Sequence, residues 1–279
     1  MTTVPLPASP PDVLVRNSVT TTGDPDGPVL LFAHGFGCDQ DMWRQLLPWF
    51  TDEYRVVLFD HVGAGRSDLA SYDPARYATL DGYADDLLQL CQSMDLREVT
   101  LVAHSVSAMM AVSAAAQRPD LFSRLVLVAP SPCYIDDPDD GYVGGFSRAD
   151  IDELLASLDH NYFAWAAAMG PVVMGTPHAP ELGEELTGAF CRTDPDIARD
   201  FARVTFLTDS RHLLPQLRTP ALVLQCTDDA LAPLEVGQYL HARLEGSTLV
   251  QLAATGHCPH VSAPAETAAA VRAFLRPDR

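Results

Sequence analysis

The chain has 279 residues, 47% hydrophobic and 20% charged, which suits one sizeable core and not a disordered polymer. A formal net charge of −19 argues against a nucleic-acid partner, because an acidic surface repels phosphate backbones. All 18 basic residues are arginine, and the missing lysine removes Schiff-base, Ser–Lys and P-loop chemistry together. Asp, Arg, Pro or Gly interrupts every apolar run before it reaches the length of a membrane span, so no membrane association is expected. The stretch Met1 to Pro11 lacks a basic start and an apolar h-region, which predicts no secretory signal and a cytoplasmic protein. Cys38, Cys91, Cys133, Cys191, Cys226 and Cys258 are scattered without a C-x-x-C pair and read as free thiols, most of them buried.

Val29–Ala33 (VLLFA) predicts the first buried strand. His34-Gly35-Phe36-Gly37 follows it directly. Attack on a carbonyl builds negative charge on oxygen, and two backbone N–H groups must already face that point. Phe36 N–H is one candidate donor. The G-x-G-x-x-G spacing of a dinucleotide loop is missing here. Arg55–Phe59 (RVVLF) predicts a second strand, and Leu80–Met94 a helix behind a Thr79 cap. Val99–Ala103 then runs as a strand into Ala103-His104-Ser105-Val106-Ser107, with helix Ser107–Gln117 at once behind it. This is the context of a nucleophile elbow, whose usual form is G-x-S-x-G. Ala103 and Ser107 stand where glycines are usual, so the motif is degenerate. Ser105 would be the nucleophile, and Val106 N–H the second oxyanion donor.

After the strand Leu125–Ala129 and Ser131-Pro132 the alternation of strand and helix breaks. Between Tyr134 and Arg211 no strand is evident. Gly141–Gly145 reads as a loop, and helical patterns occupy Ser147–Asp159, Tyr162–Met169, Pro180–Cys191 and Asp194–Asp209. An all-helical block inside an α/β pattern predicts an insertion, residues 134–211, over a core made of residues 1–133 and 212–279. Strands resume with Ala221–Gln225 and Thr248–Leu252, and the helix Ala265–Leu275 closes the chain.

Two further motifs lie at the ends of these late strands. In QCTDDALAP, Asp228 and Asp229 compete as the acid that orients a histidine, and Asp229 is favoured by standing four residues before Pro233. In Gly256-His257-Cys258-Pro259-His260, His257 is favoured as the base and His260 as a structural hydrogen-bonding residue. A metal reading of this H-x-x-H is poor, because no further ligand cluster stands nearby in sequence. The order Ser105, Asp229, His257, each at a strand end, is that of α/β-hydrolases.

From about Val13 onward the chain resembles the α/β-hydrolase superfamily, and within it the RsbQ-like group of bacterial stress sigma-factor regulators, to which the plant strigolactone and karrikin receptors are related. The segments that carry the resemblance include HGFGCDQDMW (34–43), FDHVGAGRSD (59–68), AHSVSAMM (103–110), NYFAW (161–165), TFLTDSR (205–211) and GHCPHVSAP (256–264). The resemblance implies a mostly parallel eight-stranded sheet with an inserted four-helix cap. It implies a substrate pocket lined by Phe36, His104, Val106, Tyr134, Trp165, Met169 and Phe206, with Arg66 and Ser67 in a scaffolding loop. Plain cap packing of Tyr134, Trp165 and Phe206 is an equal alternative.

These residues predict acyl transfer to water from a small hydrophobic ester or lactone, with no metal or organic cofactor needed. A serine nucleophile argues against haloalkane dehalogenase and epoxide hydrolase chemistry. The resemblance implies a rival role, in which the protein binds or slowly hydrolyses a small molecule and activates a PAS-domain phosphatase partner.

Overall fold

The computed structural model describes residues 12–276, so the expectation for Met1 to Pro11 lies outside the described residues. The chain opens with a short helix α1 (Val13–Arg16) and the strands β1 (Thr20–Gly23), β2 (Val29–Ala33) and β3 (Arg55–Leu58). Helix α2 (Leu80–Ser93), strand β4 (Val99–His104), helix α3 (Val106–Gln117) and strand β5 (Phe122–Val128) follow. Four helices come next: α4 (Arg148–His160), α5 (Tyr162–Met174), α6 (Pro180–Arg192) and α7 (Pro195–Leu207). The chain then returns through β6 (Ala221–Asp228), α8 (Leu234–Arg243), β7 (Thr248–Thr255), α9 (Pro259–Ser262) and α10 (Pro264–Leu275).

The strands form one sheet in the order β1-β3-β2-β4-β5-β6-β7, parallel throughout except for β1 against β3. Alternate residues serve its two faces. Leu31, Leu101, Leu127 and Val223 join one core with α2 and α3, while Leu30, Val102, Val126 and Leu224 join the other. Burial on both faces is why these strands read as near-continuous Val and Leu runs.

The expected eight-stranded sheet is corrected to seven strands among the described residues. Six of the seven are the apolar runs of the sequence. The seventh, β1, is TTTG, exposed at every position, and pairs on one side only as an antiparallel edge. It carries no apolar signal because it buries no side chain.

The segment between β5 and β6 is helical as expected, apart from two isolated bridges, Ile135 to Phe146 and Asp137 to Tyr142, which fold its first loop back on itself. Helix α5 outruns its expected end at Met169, continuing through Pro171 until Gly175 stops it in the left-handed conformation, φ 63°. Gly170 is what lets α5 lie flat on α6, since a Cβ there would sit 2.1 Å from Thr187 Oγ1. Ion pairs tie α6 to the loop after β2, through Arg44 with Glu185 and Arg192 with Asp39 at 2.9 Å. No helix among the described residues is long and apolar enough to cross a membrane.

Candidate active site

Ser105 stands at the turn between β4 and α3 with φ 57° and ψ −126°. A non-glycine residue at such a φ is strained by about 1–3 kcal/mol and persists only when its surroundings hold it. Ser105 N–H donates to Val128 O at 2.9 Å, which extends the β4–β5 ladder one residue into the turn. Ala103 and Ser107, the small residues on either side, are completely buried. The Ser107 hydroxyl has a use that glycine could not supply. It donates to His34 O in the loop after β2 and lies 2.8 Å from His61 Nε2. The departure from G-x-S-x-G thus ties the elbow to the neighbouring loop.

The loop after β6 presents Asp229. Its carboxylate accepts the Leu231 N–H at 2.9 Å and the Ala232 N–H at 3.2 Å, and meets His257 Nδ1 at 3.0 and 2.8 Å. Asp228, its rival in the sequence, is exposed. Across the ring, His257 Nε2 lies 2.7 Å from Ser105 Oγ. With Nδ1–H donated to Asp229, the Nε2 lone pair faces the serine hydroxyl, the tautomer a general base requires.

Phe36 and Val106 also come together at Ser105. Val106 begins α3, where helix geometry leaves its N–H without an intrahelical acceptor. The Phe36 loop lies against the elbow so closely that a Cβ on Gly35 would be 3.2 Å from Ser105 Cβ and 2.5 Å from His104 Nδ1. Arg66 and Ser67 brace this region from the side. Arg66 pairs with Asp41, its N–H donates to Asp60, and Ser67 accepts the Gly63 N–H.

A cavity of about 30 Å³, counting space open to the centre of a water molecule, lies above Ser105. Tyr134, Trp165, Met169 and Phe206, expected from the resemblance, all line it. Packing and pocket prove to be one arrangement. The Phe36 ring is the hub of an aromatic cluster, with centroids 6.0 Å from Trp165, 6.1 Å from Phe190, 5.6 Å from Phe201 and 6.2 Å from Phe206. Tyr134 OH lies 3.3 Å from Ser105 Oγ, and burial pushes its pKa up to about 12, so it stays a neutral phenol. Leu186, Phe190 and Thr205 line the cavity as well and were not evident in the sequence. The only signal they carried was a place on helical faces whose direction depends on packing.

His104 lines the cavity too, and its Nε2 lies 2.8 Å from the His257 carbonyl oxygen, to which it donates. Burial holds its pKa far below the usual histidine range, with His260 and His257 adding to the effect, so the ring is neutral. His260, expected to form structural hydrogen bonds, instead packs by its ring between Trp43 and His104, at centroid distances of 4.4 and 4.5 Å, with neither ring nitrogen bonded to another described residue. Burial, with a smaller effect of His257, lowers its pKa to about 3. His104, Cys258 and His260 bring one potential metal-ligating atom each within 4.8 Å of the others. They fit a metal ion poorly. His104 Nε2 is engaged by His257 and its Nδ1 faces Gly35, while burial pushes the Cys258 thiol pKa well up, against the thiolate that binds metals.

Residues 30–270 match the model of the Alpha/beta hydrolase family. The strigolactone esterase D14 of Arabidopsis thaliana is 40% identical over 258 residues, 92% of this chain and 94% of that protein. The karrikin insensitive 2 receptor CA of Petunia hybrida is 39% identical over 236 residues, 84% of this chain and 87% of that protein. Among solved structures, a hydrolase from Oleispira antarctica superposes with a TM-score of 0.92 at 42% identity, covering 96% of this chain and 97% of the other. The chain belongs to the alpha/beta hydrolase family.

Proposed function

We propose that the protein is a serine hydrolase that cleaves a small hydrophobic ester or lactone. The observation that carries this reading is the continuous line from Asp229 through His257 to Ser105 Oγ, with a hydrogen-bond length at each junction. In this reading His257 takes the Ser105 proton as Oγ attacks the carbonyl, and Asp229 stabilises the imidazolium that forms. The N–H groups of Phe36 and Val106 receive the oxyanion. His257 then protonates the leaving group, and water releases the acyl group from Ser105 by the reverse sequence. Residues 134–211 act as a lid whose Trp165, Met169 and Phe206 exclude water and favour apolar substrates. Their small cavity suits a compact acyl group.

Steady-state hydrolysis of p-nitrophenyl acetate tests the assignment. Replacement Ser105→Ala lowers kcat by at least about 10⁴-fold. Hydrolysis that survives this replacement at the wild-type rate removes Ser105 from the mechanism.

A receptor role for the same pocket is the second reading, favoured by the similarity to a protein named karrikin insensitive 2 receptor CA. In that role the lid surface would engage a PAS-domain phosphatase. Recovery of such a phosphatase in a pulldown, with one turnover followed by arrest, supports it. Sustained turnover with no such partner supports the plain esterase.

A further inference from the structure

The end of helix α5 and the loop that carries His257 are joined more tightly than packing requires. His257 N–H donates to Val173 O at 2.8 Å, and the Thr255 hydroxyl donates to Gly175 O at 2.9 Å. Between these two bonds the backbones touch. A Cβ on Gly256 would lie 1.8 Å from Met174 O, and one on Gly175 would lie 2.6 Å from Gly256 Cα. On the other side, Gly256 N–H donates to Asp228 O at 2.6 Å, one residue before Asp229. The acid, the base and the last turn of α5 therefore meet at one junction. The same helix carries Trp165 and Met169 over the cavity, and Val173 itself lines it.

We infer that Thr255 is a positioning residue that acts through His257. Its hydroxyl pins the end of α5 to the histidine loop, so that the imidazole is aligned only while α5 is seated. The inference rests on the triad reading and extends it from the reacting groups to the lid. A lid movement that lifts α5 to admit a substrate breaks both bonds and disarms the base. Seating α5 on the bound substrate restores it. Catalytic alignment thereby depends on closure over the substrate.

The test compares Thr255→Val, which keeps the shape and removes the donor, with Thr255→Ser, which keeps the donor. Two quantities are read: kcat and KM for p-nitrophenyl acetate, and the low-field proton signal of the His257–Asp229 hydrogen bond in the free protein. Thermal melting is followed alongside to score folded fraction. The expected result is a 3- to 10-fold fall in kcat for Thr255→Val, corresponding to one lost hydrogen bond. KM stays unchanged, the proton signal shifts or broadens, and Thr255→Ser stays within about twofold of the wild type. A Thr255→Val protein with wild-type kcat and an unaltered signal overturns the inference. So does an equal loss in Thr255→Ser, or a loss confined to KM. Failure of the triad reading looks different, because wild type and Ser105→Ala would then turn over at the same rate while the proton signal is still there to be read.

Discussion

At the scale of single residues, the site separates groups that look alike in the sequence. Asp228 and Asp229 are neighbours, yet only the second has its carboxylate turned inward to two backbone N–H groups and His257. That arrangement fixes the imidazole tautomer. Asp229→Asn is expected to lower kcat about 10⁴-fold by presenting the wrong tautomer to Ser105, while Asp228→Asn leaves it within about twofold. Steady-state kinetics on the two variants checks both. His257 and His260 divide in the same way. One has a carboxylate on Nδ1 and a hydroxyl on Nε2, whereas the other is a neutral ring wedged against Trp43. In the sequence Asp229 is favoured by standing four residues before Pro233, and His257 by following Gly256 and by the Ser, Asp, His order; these are the two that lie in line with Ser105. Nothing in the sequence marked Thr255, whose partner Gly175 is 80 residues away.

At the scale of elements, what could be read depended on what each element buries. The five inner strands and the far edge strand β7 declared themselves as Val and Leu runs, and helix α2 as a periodic segment behind its Thr79 cap. Edge strand β1 did not, because its Thr20–Gly23 side chains all face solvent. The full length of α5 was hidden behind Gly170-Pro171, which read as an end. In the fold, Gly170 is a contact surface for α6, and the helix runs on to place Val173 and Gly175 against the histidine loop. The cavity was legible only where a resemblance named its residues. Leu186, Phe190 and Thr205 lie on α6 and α7, and the direction those helices face is set by Phe36 and the small residues between α5 and α6.

At the scale of the molecule, burial of histidine makes stability depend on acidity. Burial lowers the pKa of His34, His61, His104 and His260, the last to about 3. Below the ordinary histidine pKa of about 6.5 the unfolded chain binds protons that the folded chain refuses. Stability is therefore full above about pH 6.5 and falls as the pH drops toward 3. Carboxylates held low, such as Asp41 and Asp209, add to the loss only below about pH 4, so the interval between is governed by histidine. Urea unfolding at pH 7, 6 and 5 is expected to give steadily lower midpoints. His260→Phe, which keeps a ring against Trp43, removes one proton from that dependence, up to about 1.4 kcal/mol per pH unit. An equal slope in the variant would mean that His260 is protonated in the fold. The central claim, that Ser105 is an activated nucleophile, is tested most directly by intact-mass and peptide-mapping analysis after treatment with a fluorophosphonate. The account predicts a single adduct on Ser105 in the wild type, at least about 100-fold slower labelling in His257→Ala, and none at that position in Ser105→Ala. A wild-type protein that stays unlabelled at Ser105, or labels at the same rate without His257, would contradict it.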